Sequence, residues 1–162
     1  MNRIHRFAPG RRFAAIAALT LLLSASLAGS ALAAQAQSDA CPSSAARIAC
    51  VDLSRQVMWV QTHGRITWGP VHIRSGARAT PTRTGLKRIY RRARQHRSSI
   101  NGEPMPYSQF FDRGIAFHGT TKPLASPPGS LGCVTMTVSD AAALWRVTKT
   151  ADPVYVFGRT ID

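Results

Sequence analysis

The sequence predicts a mainly β domain with one clear helix near its C-terminal end. Three observations carry this: short runs of alternating apolar and polar residues, turn clusters between them, and a single capped helical stretch. Alternation begins at Cys50-Val51-Asp52-Leu53 and returns from Gln56 to Gln61, where Thr62-His63-Gly64-Arg65 before Ile66-Thr67-Trp68 signals a hairpin. Gly69-Pro70 predicts a break, after which Val71-His72-Ile73 resumes the pattern until Ser75-Gly76. Thr80 to Gly85 reads as a loop and Leu86 to Arg91 as one extended run. Gly and Pro between Ser98 and Gln109 predict a loop that carries Met105 and Tyr107, large side chains suited to lining a cleft. Gly114 to His118 reads as a short buried strand with histidine at its end. Thr120 to Gly129 holds three prolines and must be a loop. Thr137-Val138-Ser139-Asp140 resembles a capping box that opens a helix to about Lys149, with Val138, Ala141, Ala142 and Trp145 expected on its core face. Val154 to Phe157 closes the domain as a strand.

The first 36 residues are expected to be a signal peptide. Arg3, Arg6, Arg11 and Arg12 precede an apolar run from Phe13 to about Ala28, and small residues at 31, 33, 34 and 36 offer cleavage geometry after residues 33 to 36. That run is short and poor in large residues for a membrane span of roughly 20 residues. The catalytic or binding domain is then expected over residues 37–162, one domain in size and without a further long apolar segment. Four of the 21 basic residues lie in the leader and all seven acidic ones beyond it, which leaves the domain near +10. Such a charge attracts polyanions, and an exported chain meets anionic wall polymers first. No zinc-finger, helix-turn-helix or aromatic-basic pattern points to nucleic acid.

Three cysteines in an oxidising compartment cannot all pair within one chain. Cys41 and Cys50 are close in sequence and flank a short apolar stretch, so they are the expected disulfide. Cys133 is then the odd thiol. A buried, inert cysteine is one common fate, but its neighbours argue for a nucleophile. In Ser130-Leu131-Gly132-Cys133-Val134, Gly132 lets the backbone pass close to a substrate, and consecutive amides ending at Cys133 could face a developing oxyanion. His118, followed by Gly119 at a strand end, is the candidate base.

His118-Gly119, followed fifteen positions on by Cys133 within Ser-x-Gly-Cys-Val, resembles the signature of the L,D-transpeptidase catalytic domain of YkuD type. Further segments agree in order: Val51 to Gln56 before a Trp-bearing strand, Pro70 to Gly76 before Thr80-Pro81-Thr82 and Thr84-Gly85, and Pro104 to Phe111 leading to Ile115-Ala116-Phe117-His118-Gly119. The match runs from about Ala49 to Gly158.

The resemblance implies a β-sandwich-like catalytic fold and peptidoglycan stem peptides as substrates. Cys133 would form a thioester with a donor stem and His118 would move the proton. The carbonyl of Gly119 would orient the ring, and the amides of Leu131, Gly132 and Cys133, flanked by Ser130, would form the oxyanion hole. An acceptor amine would complete a cross-link, whereas water would make the enzyme a carboxypeptidase. No metal or organic cofactor is required, and carbapenem-type β-lactams are expected inhibitors. Relatives usually carry His where Leu131 stands and Arg or Asn where Thr135 stands. The basic run from Arg88 to Arg97 is either a solvated face or a compensating grip on substrate. Papain-like hydrolases place the cysteine before the histidine along the chain, the reverse of the order here. A wall-binding module with an incidental Cys133 is the rival from outside the enzymes.

Overall fold

The computed structural model describes residues 41–125 and 129–160. The leader expected over residues 1–36 and its cleavage point lie outside the described residues. No helix among those described is long and apolar enough to cross a membrane.

Nine strands and one helix follow in order: β1 (Ile48–Asp52), β2 (Val57–Thr62), β3 (Arg65–His72), β4 (Gly85–Arg88), β5 (Arg91–Ala93), β6 (Ser108–Asp112), β7 (Ile115–Thr120), β8 (Val134–Thr137), α1 (Val138–Val147) and β9 (Pro153–Phe157). One sheet has the order β3-β2-β1-β9-β4 and the other β5-β6-β7-β8. Two pairs are parallel, β1 with β9 and β7 with β8, and the rest are antiparallel. The β2–β3 hairpin turns at His63 and Gly64, with φ of 47° and 76°.

A single core lies between the sheets, built from Val51, Met58, Val60, Phe117, Val134, Met136, Val154 and Val156, with Leu144 and Ala141 of α1 joining it. β1 and β2 are nevertheless buried on both faces. Their outer side is covered by residues 41–47, and Ile48, Cys50, Trp59 and Cys41 form a second, smaller cluster there. Gln61 Nε2 donates to the carbonyls of Cys41 and Pro42, its Oε1 accepts from Trp59 Nε1, and the Cys41–Cys50 disulfide fastens this strap. Arg47 adds a two-pronged contact to Asp152 at 2.7 and 3.0 Å.

Three local expectations need correction. Gly69-Pro70 does not end a strand, because β3 runs through it with a cis peptide bond. β3 is an edge strand, where a proline's missing N–H leaves no ladder partner unsatisfied. The irregularity falls instead on the pairing with β2, whose register shifts between Met58 and Gln61.

Leu86 to Arg91 is not one strand but a corner. Ile89 N–H donates to the carbonyl of Asp152, just ahead of β9 of the first sheet, and the next amide, Tyr90, to Phe110 in the second. Fully buried Ile89 pins that crossing in the core.

The helix ends at Val147, and its core face is Ala141 and Leu144. Trp145 stands to one side, half-buried, with the Arg92 guanidinium 3.8 Å from its ring centre. Thr137 caps the start, accepting from Asp140 N–H at 3.1 Å while donating to the Asp140 carboxylate at 2.6 Å.

Candidate active site

Two strand alternations deliver the candidate nucleophile and base to one place. On β7, Phe117 turns into the core against Phe111, with ring centres 4.5 Å apart, so its neighbour His118 must face the other side of the sheet. β8 runs parallel beside it, with His118 paired to Thr135 and Phe117 to Val134. Cys133 stands immediately before β8, two residues from Thr135, and therefore shares the face of His118. It packs against Met105, Phe110 and Ala116 and is the free thiol among the described cysteines.

The ring of His118 is buried, and its Nδ1 lies 2.9 Å from the carbonyl of Gly119. A carbonyl only accepts, so Nδ1 carries the hydrogen and Nε2 the lone pair. Burial pushes the His118 pKa down, the Gly119 carbonyl pulls the other way, and the charges of Arg74 and His96 lower it further. Burial likewise pushes the Cys133 thiol up, with a backbone hydrogen bond to Ala116 opposing. Both shifts favour neutral forms, so the resting pair is a thiol beside a neutral imidazole that can act as a base.

The turn before Cys133 is held from the side by residues 75–82. Ser130 N–H donates to Ser75 at 2.9 Å, and the Ser130 carbonyl accepts from Ala77 N–H and Thr80 Oγ1, each at 2.9 Å. Buried Thr82 links the two segments: its hydroxyl accepts from Gly76 N–H at 2.9 Å and donates to the Gly132 carbonyl at 2.8 Å. Gly76 must lack a side chain, since a Cβ there would fall 2.1 Å from the Thr80 carbonyl oxygen. Gly132 has φ of +105°, a backbone state that side-chain-bearing residues resist. Its amide donates to Ser130 Oγ at 3.1 Å, and the same hydroxyl donates to the Cys133 carbonyl.

Cys133, His118, Met105, Ser130 and Leu131 open onto one cleft of about 620 Å³, whereas Gly119 and Gly132 adjoin these residues in the chain without lining it. Leu131 is 53% exposed at the rim. Tyr107 is not brought there. Its φ of 58° turns the side chain toward α1, where the ring meets Trp145 at 6.1 Å, so it supports the helix instead of lining the cleft.

The basic run also divides. Arg88 donates to the Ala151 carbonyl, Arg92 covers Trp145 and donates to its carbonyl, Arg94 lies 6.0 Å from the same ring, and Arg97 donates to Gly102. Of these, Arg91 alone reaches the cleft, its guanidinium 3.7 Å over the Phe110 ring.

Sequence reasoning missed Arg74, which lines the cleft from the segment that leaves β3. Its signal is the alternation of buried Ile73 with Arg74, continued one residue past the strand. That signal says which face Arg74 takes, not that the face becomes the cleft.

The L,D-transpeptidase catalytic-domain model of YkuD type matches residues 46–156. An L,D-transpeptidase from Stackebrandtia nassauensis is 32% identical, with a TM-score of 0.69 over 72% of this chain and 58% of that one. A cysteine-to-serine mutant of the Enterococcus faecium L,D-transpeptidase is 26% identical, with a TM-score of 0.62 over 68% and 49% of the two chains. L,D-transpeptidase 3 from Mycobacterium tuberculosis, solved with a faropenem-derived adduct, shares the fold at 22% identity and a TM-score of 0.57 over 68% and 60%. A search of curated proteins returned no match. The two-sheet, one-helix fold defines a mainly β domain of the kind seen in these neighbours. The chain belongs to the L,D-transpeptidase catalytic-domain family, and it spans a little over half the length of the Stackebrandtia protein.

Proposed function

We propose that this protein is an exported peptidoglycan L,D-transpeptidase that works through a thioester on Cys133. The observation that carries this reading is the placement of Cys133 and His118 on one face of adjoining parallel strands, with Nδ1 engaged by Gly119. His118 Nε2 takes the thiol proton as Sγ attacks the donor carbonyl next to the terminal D-alanine. The S–C bond forms, the C–N bond breaks, and D-alanine leaves as an amine with the proton that His118 returns. An acceptor amine then attacks the thioester, gives its proton to His118, and releases Sγ, which regains the proton. Water in place of the amine makes the same step a carboxypeptidase reaction.

In this reading the amides of Leu131 and Cys133 would meet the oxyanion. The Gly132 amide already donates to Ser130 Oγ and would join them only if that hydrogen bond broke. Met105 supplies the apolar wall. Export is supported by the basic-then-apolar leader pattern and by the Cys41–Cys50 bridge, which belongs to an oxidising compartment. The basic surface would hold the anionic wall polymer nearby.

Incubating residues 37–162 with a disaccharide-tetrapeptide and reading products by mass tests the proposal. Cross-linked dimer or released D-alanine, both abolished in Cys133→Ala with folding intact, is the expected result. Undiminished turnover in that variant would refute the mechanism.

A further inference from the structure

The charge of the cleft has a definite sign. Arg74, Arg91, Arg113 and Lys122 line it, and Glu103 is the single carboxylate among the described residues that do. Glu103 is already 3.1 Å from Lys122. Arg91 sits over the Phe110 ring, and Arg113 is in the exposed β6–β7 turn. Arg74 differs from all of these in being held at the chemistry.

Its backbone is fixed on both sides of a bridge to β8: Arg74 N–H donates to the Thr135 carbonyl at 2.8 Å, and Thr135 N–H donates to the Arg74 carbonyl at 2.9 Å. Residues directly opposite in such a pair project to the same face. Thr135 is in turn the partner of His118 across β7 and β8. Arg74, Thr135 and His118 thus form a row on the face that carries Cys133, and Arg74 is near enough to His118 for its charge to act on the ring. Arg74 is half-buried, with its Nε out of solvent, so its charge is weakly screened.

We propose that Arg74 selects acyl donors that carry a free carboxylate close to the carbonyl under attack. This rests on the reading of Cys133 as the nucleophile. A guanidinium beside the base would hold such a carboxylate by charge-assisted hydrogen bonds and fix the carbonyl over Sγ. Two carboxylates of a tetrapeptide stem have this chemistry: the C-terminal one, and the side-chain one of the diamino-acid residue where that residue bears one.

The test has two arms. In the first, Cys133 of the full domain is alkylated with iodoacetate and with iodoacetamide, Sγ displacing iodide from each, and the ratio of the two rates is read by intact mass. Arg74→Gln should lower that ratio about tenfold, Arg74→Lys should keep most of it, and Arg91→Gln should change it less. In the second, tetrapeptide donors with either carboxylate amidated are compared with the free donor. Wild type should lose about tenfold in kcat/KM, mainly in KM, for one of the two amides, and that amide names the carboxylate held. Arg74→Gln should erase the difference.

An alkylation ratio untouched by Arg74→Gln, or one that collapses in Arg91→Gln instead, overturns the proposal. Equal turnover of free and amidated donors by wild type also overturns it and needs no variant to fold. If no protein turns over any donor while the alkylation ratio still falls in Arg74→Gln, the transpeptidase reading fails and the carboxylate grip stands.

Discussion

His118 is buried with its proton on Nδ1, and burial holds its pKa below the ordinary value. The sign for stability follows. Above the unfolded pKa of about 6.5 neither state is protonated and the shift contributes nothing. As pH falls through that value the unfolded chain takes up its proton first, so the native state loses stability until the depressed native pKa is passed. Wild type should therefore melt lower at pH 5 than at pH 7.5, with a smaller difference in His118→Gln, in which carboxylates still titrate but this histidine does not. Thermal melts of both proteins at the two pH values check this, and equal differences would remove His118 from the acid response. Cys133 shows the mirror case: its raised pKa means the unfolded thiol ionises first, and stability falls as pH rises through the alkaline range. A carbapenem should add once, at Cys133, and intact mass before and after Cys133→Ala reads it. At this scale the sequence was readable where chemistry is written into residue types. Cys133 after Gly132 and His118 before Gly119 stood out as candidates, and the fold brings both to one cleft. Arg74 was not readable, because its place in the cleft depends on a chain crossing from one sheet to the other that no local pattern encodes.

Strands place the pair, but the loop from Ser75 to Thr82 holds the turn that carries Cys133. Thr82 is the link between them, satisfying a buried N–H on Gly76 and a buried C=O on Gly132 with one hydroxyl. Thr82→Val keeps the shape and leaves both groups unsatisfied, which costs about 1–3 kcal/mol each in buried surroundings. The variant should fold with a lower Tm and lose more in kcat than in KM, since the amides around Cys133 would no longer be held in place. Thr82→Ser should restore most of both. Stopped-flow and melting measurements on the two variants decide it, and unchanged kcat in Thr82→Val would show that the loop is only a support. The Thr-Pro-Thr pattern was visible beforehand, yet its work was not, because Thr82 and Gly132 are 50 residues apart. Elements were legible wherever a period was clean, as in the β2–β3 hairpin and the capped helix. They were misread at Gly69-Pro70 and between Leu86 and Arg91, where what decides is position in the sheet: an edge tolerates proline, and a sandwich needs corners.

For the molecule as a whole, the mainly β character was foreseeable from many short strands and one helix, the sandwich-like arrangement only through the family resemblance, and the strand order not at all. The parallel pairing of β1 with β9 joins segments about a hundred residues apart, a contact that alternation cannot specify. The strap over β1 and β2 gives a prediction at this scale. Reducing Cys41–Cys50 should lower stability by about 2–4 kcal/mol, the usual range for a native bridge. Chemical denaturation with and without reductant measures this, and Cys41→Ser with Cys50→Ser should reproduce the reduced value. Identical midpoints would mean that Arg47 and Gln61 hold the strap without the bridge.

That strap works as a cover stitched at one point. Beneath it lie Trp59 and Ile48, with Tyr155 and Phe157 packed alongside, an aromatic patch on the outside of a sheet whose other side is already filled by the core. Without the stitch, the cover over this patch is held by the hydrogen bonds of Arg47 and Gln61, so reduction should loosen it. Oxidation closes the loop and fixes the cover in place. Acrylamide quenching of Trp59, read as the difference between wild type and Trp59→Phe, should rise on reduction and fall on reoxidation.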